Sequence, residues 1–583
     1  MTTTRPARTA DPAVLGEAAG PGGLSTAVVD RARMAHDASH YLLTPRAVVT
    51  ATSTGQVAAV LAAATRAGVP LTFRSGGTSL SGQGVTDGVL VDVRRHQAEV
   101  EVLDGGARVR CQPGAVLRRV NAALAPYGRR LGPDPASERA CTIGGVVANN
   151  SSGMTSGTVA TAYRTLASMV LALPSGTVLD TAAPDADARL RDREPDLHAG
   201  LLRLRDRVRG DAGLRARIEH QFSMKNTMGY GLNALLDHDR AVDILAHLVV
   251  GSEGTLAYVA EVTLRTVPAL PHVATALCVF DSIARASDAI APLSEAGAVA
   301  IELMDPAALR VAQRDPQADE VMRAIPVEEH TALLVELQDA TAEGLAEART
   351  RLEPVLARLE LALPTALTSD PVARGRMWAV RKDLYAAVAG ARPPGTTALL
   401  EDVVVPPAAL PGTVRDLDAL LARYGYHDAV TFGHAKDANL HFMINPHLDV
   451  PAELDAYAAF TEDLVDLVLG ADGSLKAEHG TGRIMAPYVR RQYGDALYDV
   501  MREIKALCDP AGVLAPGVVL DEDPQAHLRH LKVVPAVHPE LDRCVECGYC
   551  EPVCPSRNAT TPPVSASRCC ATSPSPGPTG GRS

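Results

Sequence analysis

The chain has 583 residues, 46% hydrophobic and 21% charged, with a formal net charge of −12 at pH 7. That length accommodates two or three domains with sizeable cores. An acidic balance without a basic stripe argues against nucleic acid as a partner, and no run of 18 apolar residues marks a membrane-spanning helix.

Residues 1–35 are rich in Pro, Gly and Ala and lack the apolar core of a secretory signal, so they are expected to form a disordered lead-in. After Thr54, GQVAAVLAAATRAG places Val57, Val60, Leu61 and Ala64 on one helical face and stops at Gly68. Apolar runs Val69–Phe73 and Val89–Val93 then bracket RSGGTSLSGQ, Arg74 to Gln83. A loop of such small side chains lets backbone N–H groups approach an anion closely, and concave nests of amides favour diphosphates. Arg74, Ser75, Gly76, Gly77, Thr78, Ser79, Gly82 and Gln83 are therefore candidate phosphate-binding residues. By itself the pattern fits a plain inter-strand turn equally well.

Two later stretches share this texture. GPDPAS from Gly132 supplies Pro133, Asp134 and Ser137. TIGGVVANNSSG from Thr142 follows, with Thr142, Gly144, Gly145, Asn149, Ser152 and Gly153 as candidates. The Asn amides suit a ring system, although Asn in a tight turn is the competing reading. Residues 184–220 form a charged helical insertion, and SMKNTMGYGLNAL follows from Ser223. GSEGTLAYVAEVTLRTVP from Gly251 adds Gly251, Glu253 and Gly254 ahead of a buried strand.

These segments, in this order, resemble the flavin-binding domain of the vanillyl-alcohol oxidase / p-cresol methylhydroxylase superfamily, in the branch of D-lactate, glycolate and D-2-hydroxyglutarate dehydrogenases. The resemblance runs from about Asp37 to Asp523. It implies an α+β fold: a two-subdomain PCMH-type FAD-binding domain over 36–268, an α+β cap with an antiparallel sheet over 269–475, and a return to the FAD domain over 476–523. In the family the first loop holds the FAD diphosphate and the others line the flavin, while KNTxGYxLN, here with Lys225 and Asn226, lies near flavin and substrate. Relatives that attach the flavin covalently often carry His where Thr78 stands, so dissociable, non-covalent FAD is expected.

In the cap region, amphipathic helices (Ser282–Glu295, Glu343–Leu361) alternate with strands such as Leu333–Leu337. WAVRKDLYAAV carries Arg381, which the resemblance sets facing the substrate carboxylate; a guanidinium fork suits that group. GHAKDANLHFMI from Gly433 reads as strand–turn–strand and could aim His434 and His441 into one pocket. KAEHGTGR from Lys476 adds Glu478 and His479. Two imidazoles and a carboxylate leave coordination positions open on a divalent ion, as at a catalytic site. Hydrogen-bonded core histidines are the bland alternative for any one of them. In the family His434, His441 and Glu478 correspond to metal ligands, zinc being expected, with manganese or iron compatible. His479 corresponds to the general base, and Asn439 to a polar residue beside the substrate. Relatives using 2-hydroxyglutarate have a lysine where LLEDVVVP places Leu400 and Glu401; a second carboxylate would lose its cation and meet Glu401 nearby, so a monocarboxylate such as D-lactate or glycolate is favoured.

Near the C-terminus Cys544, Cys547, Cys550 and Cys554 have the C-x2-C-x2-C-x3-C-P spacing of a [4Fe–4S] ferredoxin half. A partial ferredoxin-like segment is therefore expected over 535–558, with a zinc knuckle as the rival reading. After Arg557 the sequence is low-complexity, so a truncated or frame-shifted tail is expected over 559–583, where Cys569 and Cys570 are weak substitutes. Clustered cysteines point to a reducing cytoplasm rather than to disulfides. The implied reaction is oxidation of a D-2-hydroxy acid to its 2-keto acid. Electrons would pass by Fe–S to a quinone or cytochrome, with oxygen as the alternative acceptor. A homodimer and a peripheral membrane contact are further expectations. The alkyl-dihydroxyacetone-phosphate synthase branch ranks low because no run of histidines occurs, and a non-catalytic remnant is a third reading.

Overall fold

A computed structural model describes residues 10–314, 320–533, 538–540, 542–550 and 554. The helix Thr54–Ala67 is N-capped by Ser53 and ends at Gly68, whose φ of 66° is a left-handed cap that glycine adopts without strain. Val57, Val60, Leu61 and Ala64 are all buried, as the spacing requires. This helix connects strands Ala47–Thr50 and Leu71–Arg74, both of which pair parallel with Val89–Asp92. The diphosphate-loop candidate therefore leaves the C-terminal end of a parallel strand, where ligands of such sheets gather. The far edge of Leu71–Arg74 is covered by the chain's return: Leu71 N donates to Val513 O at 2.8 Å and Ala515 N to Leu71 O at 2.7 Å.

The expected lead-in departs from its prediction. Residues 10–35 are ordered, with short helices and the strand Leu24–Ser25 joining the edge of this sheet. Leu15 and Ala19 are buried against the Thr54–Ala67 helix, which repays their ordering.

A second sheet is antiparallel and centred on the long strand Tyr258–Pro268, which pairs with Arg108–Cys111, Arg129–Leu131 and Leu166–Ala172. The charged insertion forms three helices, Ala186–Arg193, Pro195–Gly210 and Ala212–Gln221.

The third sheet positions the site. Its six strands run in the order His272–Phe280, Thr331–Asp339, Ala300–Met304, Val430–His434, Asn439–Ile444 and Leu399–Val404, all antiparallel. Helices Ile283–Glu295, Ala342–Leu356 and Pro371–Gly390 accompany it. No helix among the described residues is long and apolar enough to cross a membrane. Residues 542–550 form turns without helix or strand, and Cys569 and Cys570 lie outside the described residues.

Leu333 is fully buried at the middle of the third sheet, opposite both Cys278 and Leu303. Leu333→Ala should cost about 2–5 kcal/mol. Urea unfolding should show a lower midpoint with an unchanged slope.

Candidate active site

Cross-strand register brings the chemistry together. In an antiparallel sheet, directly paired residues point to the same face. Glu302 pairs with His434, and His434 with Asn439; Phe432 pairs with His441, and His441 with Asp402. Two rows, Glu302–His434–Asn439 and Phe432–His441–Asp402, thus cross one face of the sheet. The loop after Leu475 then lays Glu478 and His479 over these rows.

The contacts are short. His434 Nδ1 lies 2.8 Å from Glu302 Oε1, and its Nε2 lies 2.8 Å from Glu478 Oε1. His441 Nδ1 lies 3.3 Å from Asp402 Oδ1, and its Nε2 is 3.3 Å from the same Glu478 oxygen. Each imidazole is therefore anchored by a carboxylate at one nitrogen and offers the other to Glu478, the pattern that orients metal-binding histidines. His479 stacks on His441 with ring centroids 4.9 Å apart. Ligand atoms of Asp402, His441, Glu478 and His479 all lie within 4.8 Å of one another. Two imidazoles and carboxylates in that space suit a divalent cation. Of the expected trio, His441 and Glu478 belong to this group and His434 meets it through Glu478; Asp402 and His479 are members the sequence did not reveal as ligands.

Asp402 is the hub of the site. Its Oδ2 accepts the N–H groups of Ala477, Glu478 and His479 at 3.1, 2.7 and 2.9 Å, and its Oδ1 accepts Asn439 Nδ2 at 2.7 Å. Burial opposes its charge, but His479 and His441 outweigh that and hold the carboxyl at about 2. Glu478 is likewise held well below the usual carboxylate range: burial is overcome by Lys225 and His434. Burial pushes His434 down, yet Glu302 and Glu478 raise it to about 9. For His479 burial dominates and lowers it to about 4, so its imidazole is neutral at pH 7. Lys225 Nζ sits 3.0 Å from Asp437 Oδ2 and 3.7 Å from Glu478 Oε2, within the site. Asn226 bonds Tyr493 and Ser474, a bracing role.

One elongated cavity reaches from this cluster across the first sheet's loops. Ser75, Gly76, Gly77, Thr78, Ser79 and Gln83 line it, as do Ser137, Thr142, Gly144, Gly145, Asn149, Ser152, Glu253 and Gly254. Glycine is required where loops meet. A Cβ on Gly76 would sit 2.9 Å from Ala140 O, and one on Gly144 would sit 2.7 Å from Pro113 Cβ. A Cβ on Gly145 would meet nothing within 4 Å, so its backbone opens onto the cavity. This cradle fits FAD. Gln83 Nε2 and Asn149 Nδ2 donate to His479 O at 3.0 and 3.3 Å, tying the cradle to the histidine.

Several expected residues stand elsewhere. Arg74 also lines the cavity, but its guanidinium turns onto the carbonyls of Gly84 and His36, so it braces the loop rather than offering an open charge. Gly82 packs on the Tyr41 ring, and Asp134 accepts the N–H groups of Thr155 and Ser156 while Gly153 lies against it. These residues, with Pro133 and Gly251, are not in the cavity wall and support its loops. Asn439 is fully buried on Asp402 and Val403 O, behind the cavity rather than beside a substrate. Arg381 lines the cavity, but its Nη2 lies 2.7 Å from Glu302 and its guanidinium covers the Phe432 ring at 5.0 Å. Glu401 does not face the cavity at all. It alternates to the sheet's other side and pairs with Lys476 at 2.7 Å, while Leu400 lines the wall. Cys544, Cys547, Cys550 and Cys554 are half-buried, and Cys547 and Tyr549 form part of the cavity wall. Sequence spacing gave no signal of that last contact.

Fold and cavity together define a flavin-dinucleotide oxidoreductase. Residues 45–182 match the FAD binding domain and residues 269–519 the C-terminal domain of FAD linked oxidases, and the chain belongs with these PCMH-type FAD linked oxidases. It is 29% identical over 514 residues to glycolate oxidase subunit GlcD of Escherichia coli K12, covering 88% of this chain and 87% of that protein. It is 28% identical to D-2-hydroxyglutarate dehydrogenase of Pantoea ananatis over 85% of this chain, spanning 50% of that relative's length. A D-lactate dehydrogenase is also among its relatives. In fold it is similar to p-cresol methylhydroxylase, with a TM-score of 0.62 at 13% identity over 88% of this chain and 98% of that one.

Glu253 is buried on Gly482 N at 2.9 Å, and burial pushes its carboxyl up to about 8 against the pull of the Gly482 and Thr481 N–H groups. It is therefore un-ionised when folded and ionised when unfolded between its ordinary 4.5 and about 8, so its contribution to stability falls as pH rises through that window. Glu253→Gln should remove a few kcal/mol of this pH dependence. Urea midpoints should fall less from pH 5 to pH 8 in the variant than in the parent; parallel curves would reject the assignment.

Proposed function

We propose that this chain oxidises a small D-2-hydroxy acid to the corresponding 2-keto acid. The observation that carries the reading is the His479 imidazole on the wall of the FAD cavity, stacked on His441 beside Glu478. Bound FAD supplies the hydride acceptor for the substrate's α-carbon. His479 takes the hydroxyl proton at a ring nitrogen, which its low affinity for protons leaves unoccupied at neutral pH. His434, His441 and Glu478, with Asp402 adjoining, would hold a divalent cation, zinc in the first instance, that binds and orients the hydroxy acid.

Thr78 offers the cavity a hydroxyl, a far weaker nucleophile toward the flavin methyl carbon than an imidazole, which supports dissociable FAD. The cysteine segment against the cavity supports electron exit through an iron–sulfur or related thiolate site to a quinone or cytochrome. Glycolate, D-lactate and D-2-hydroxyglutarate share the reacting group, and the names of the relatives support each equally.

Anaerobic bleaching of the flavin by a panel of D- and L-2-hydroxy acids tests the reaction. D-enantiomers should bleach it, and His479→Ala should slow bleaching by about 10²–10⁴-fold with FAD retained; undiminished bleaching would remove His479 as the base. Dialysis against a chelator should suppress bleaching by all substrates, and added zinc or manganese should restore it. Full activity at a metal content below one-tenth equivalent would refute the cation.

A further inference from the structure

Consecutive residues of the strand Leu399–Val404 grip one loop from opposite faces of the third sheet. Asp402 stands in the row Phe432–His441–Asp402 and takes the N–H groups of Ala477, Glu478 and His479. Glu401 stands in the row Thr431–Phe442–Glu401 on the other face and takes Lys476 Nζ at 2.7 Å. The residue held beneath the strand is thus the chain neighbour of the three held above it. Its carbonyl also accepts Thr227 N at 2.9 Å, while Thr227 Oγ1 accepts Gly480 N at 3.1 Å. Both ions lie away from water and outside the FAD cavity wall: the Lys476 side chain is fully buried and that of Glu401 is 2% exposed. Phe442, paired with Glu401, packs edge-on to Phe460 of the helix Pro451–Gly470 at 5.8 Å. An ion pair in such surroundings stabilises a fold no better than apolar side chains of similar volume, because each ion gives up its hydration. What it supplies that they do not is a fixed length and direction. One anchor at Asp402 leaves the loop free to pivot about that carboxylate, and a second anchor on the far face removes the pivot.

Resting on the proposed hydroxy-acid oxidation, we propose that Glu401 and Lys476 are positioning residues: their ion pair, on the face of the sheet opposite the site, orients the loop that presents Glu478 and His479 to the cavity. Neither touches substrate or cofactor. They act through the backbone of Lys476, one residue before the first N–H that Asp402 receives and two before Glu478. A tilt of that loop moves the Glu478 carboxylate off the two imidazole nitrogens it meets at 2.8 and 3.3 Å and carries the His479 ring with it.

The test compares the intact FAD-loaded protein with Lys476→Met and with the double variant Glu401→Leu/Lys476→Met. Lys476→Met alone strands a buried carboxylate and should lower the urea midpoint sharply. The double variant replaces both ions by apolar groups, so its midpoint should stay at or above the parent's, with FAD retained. In the double variant, anaerobic flavin reduction by the D-2-hydroxy acid that bleaches the parent fastest should slow by about ten- to a hundredfold. The loss should fall on kcat with little change in KM, because binding tolerates a tilt that proton and hydride transfer do not. Amide hydrogen exchange at residues 477–479 should quicken by about tenfold or more while the rest of the chain keeps its protection. A pair that merely filled space would leave both readings at the parent's values. Flavin reduction as fast as the parent's, or unchanged exchange at 477–479, would each overturn the proposal. Failure of every 2-hydroxy acid to bleach the parent's flavin would refute the reaction instead. Exchange then decides the pair: faster exchange at 477–479 in the stable double variant supports it, and unchanged exchange overturns it.

Discussion

The site depends on one buried carboxylate. Asp402 is fully buried and receives three consecutive backbone N–H groups from the loop that carries Glu478 and His479. A carboxylate with that many donors stays charged even without water, and its charge then fixes what surrounds it. The same two oxygens hold Asn439 at the start of one histidine strand and face the His441 ring. Asp402 therefore joins the sheet, the hairpin and the Glu478–His479 loop at one point. Without it the loop would have three orphaned N–H groups and His441 would lose its anchor.

Around that point charges alternate: Arg381 to Glu302, Glu302 to His434, His434 to Glu478, Glu478 to Lys225, Lys225 to Asp437. Buried pairs of this kind are poor stabilisers compared with apolar packing, because each ion gives up its hydration. Their concentration on one face of one sheet, at the wall of the loop-lined cavity, is the mark of a functional site rather than of a core. The chain also ties this cluster to the flavin cradle through Gln83 and Asn149, which share the His479 carbonyl. The position of His479 against the cradle is thereby fixed at its backbone carbonyl by two side-chain amides.

What the sequence made legible was local. Glycine-bearing loops between apolar runs, the capped helix after Ser53, and paired histidines across a short turn all follow from spacing within about ten residues. What it hid was register. Glu302, His434 and Asp402 are more than 130 and 30 residues apart in pairs, and only strand pairing sets them on one face. The misreading of Glu401 is the same error in miniature: parity along a strand decides which of two neighbours meets the cavity, and Leu400 and Glu401 differ by one step. Arg74 misled differently. Its charge is in the right loop, but the carbonyls of Gly84 and of the distant His36 claim its guanidinium first.

The cysteine segment shows how a motif's spacing can be legible in sequence while its place in the fold is not. Its spacing spoke of a ligand set, whereas its placement comes from other residues. Lys532 pairs with Glu546 at 2.6 Å, Glu546 reaches His36 at 3.3 Å, and Tyr549 Oη donates to Ala136 O at 3.2 Å. These contacts press residues 544–550 onto the loops that cradle the cofactor, so that Cys547 and Tyr549 complete the wall begun by Gly76 and Thr78. The cavity thus has a carboxylate–histidine cluster and a thiol-bearing segment in its lining. Both sets of residues therefore share one lining, brought there by contacts far apart in sequence rather than by the spacing within either motif.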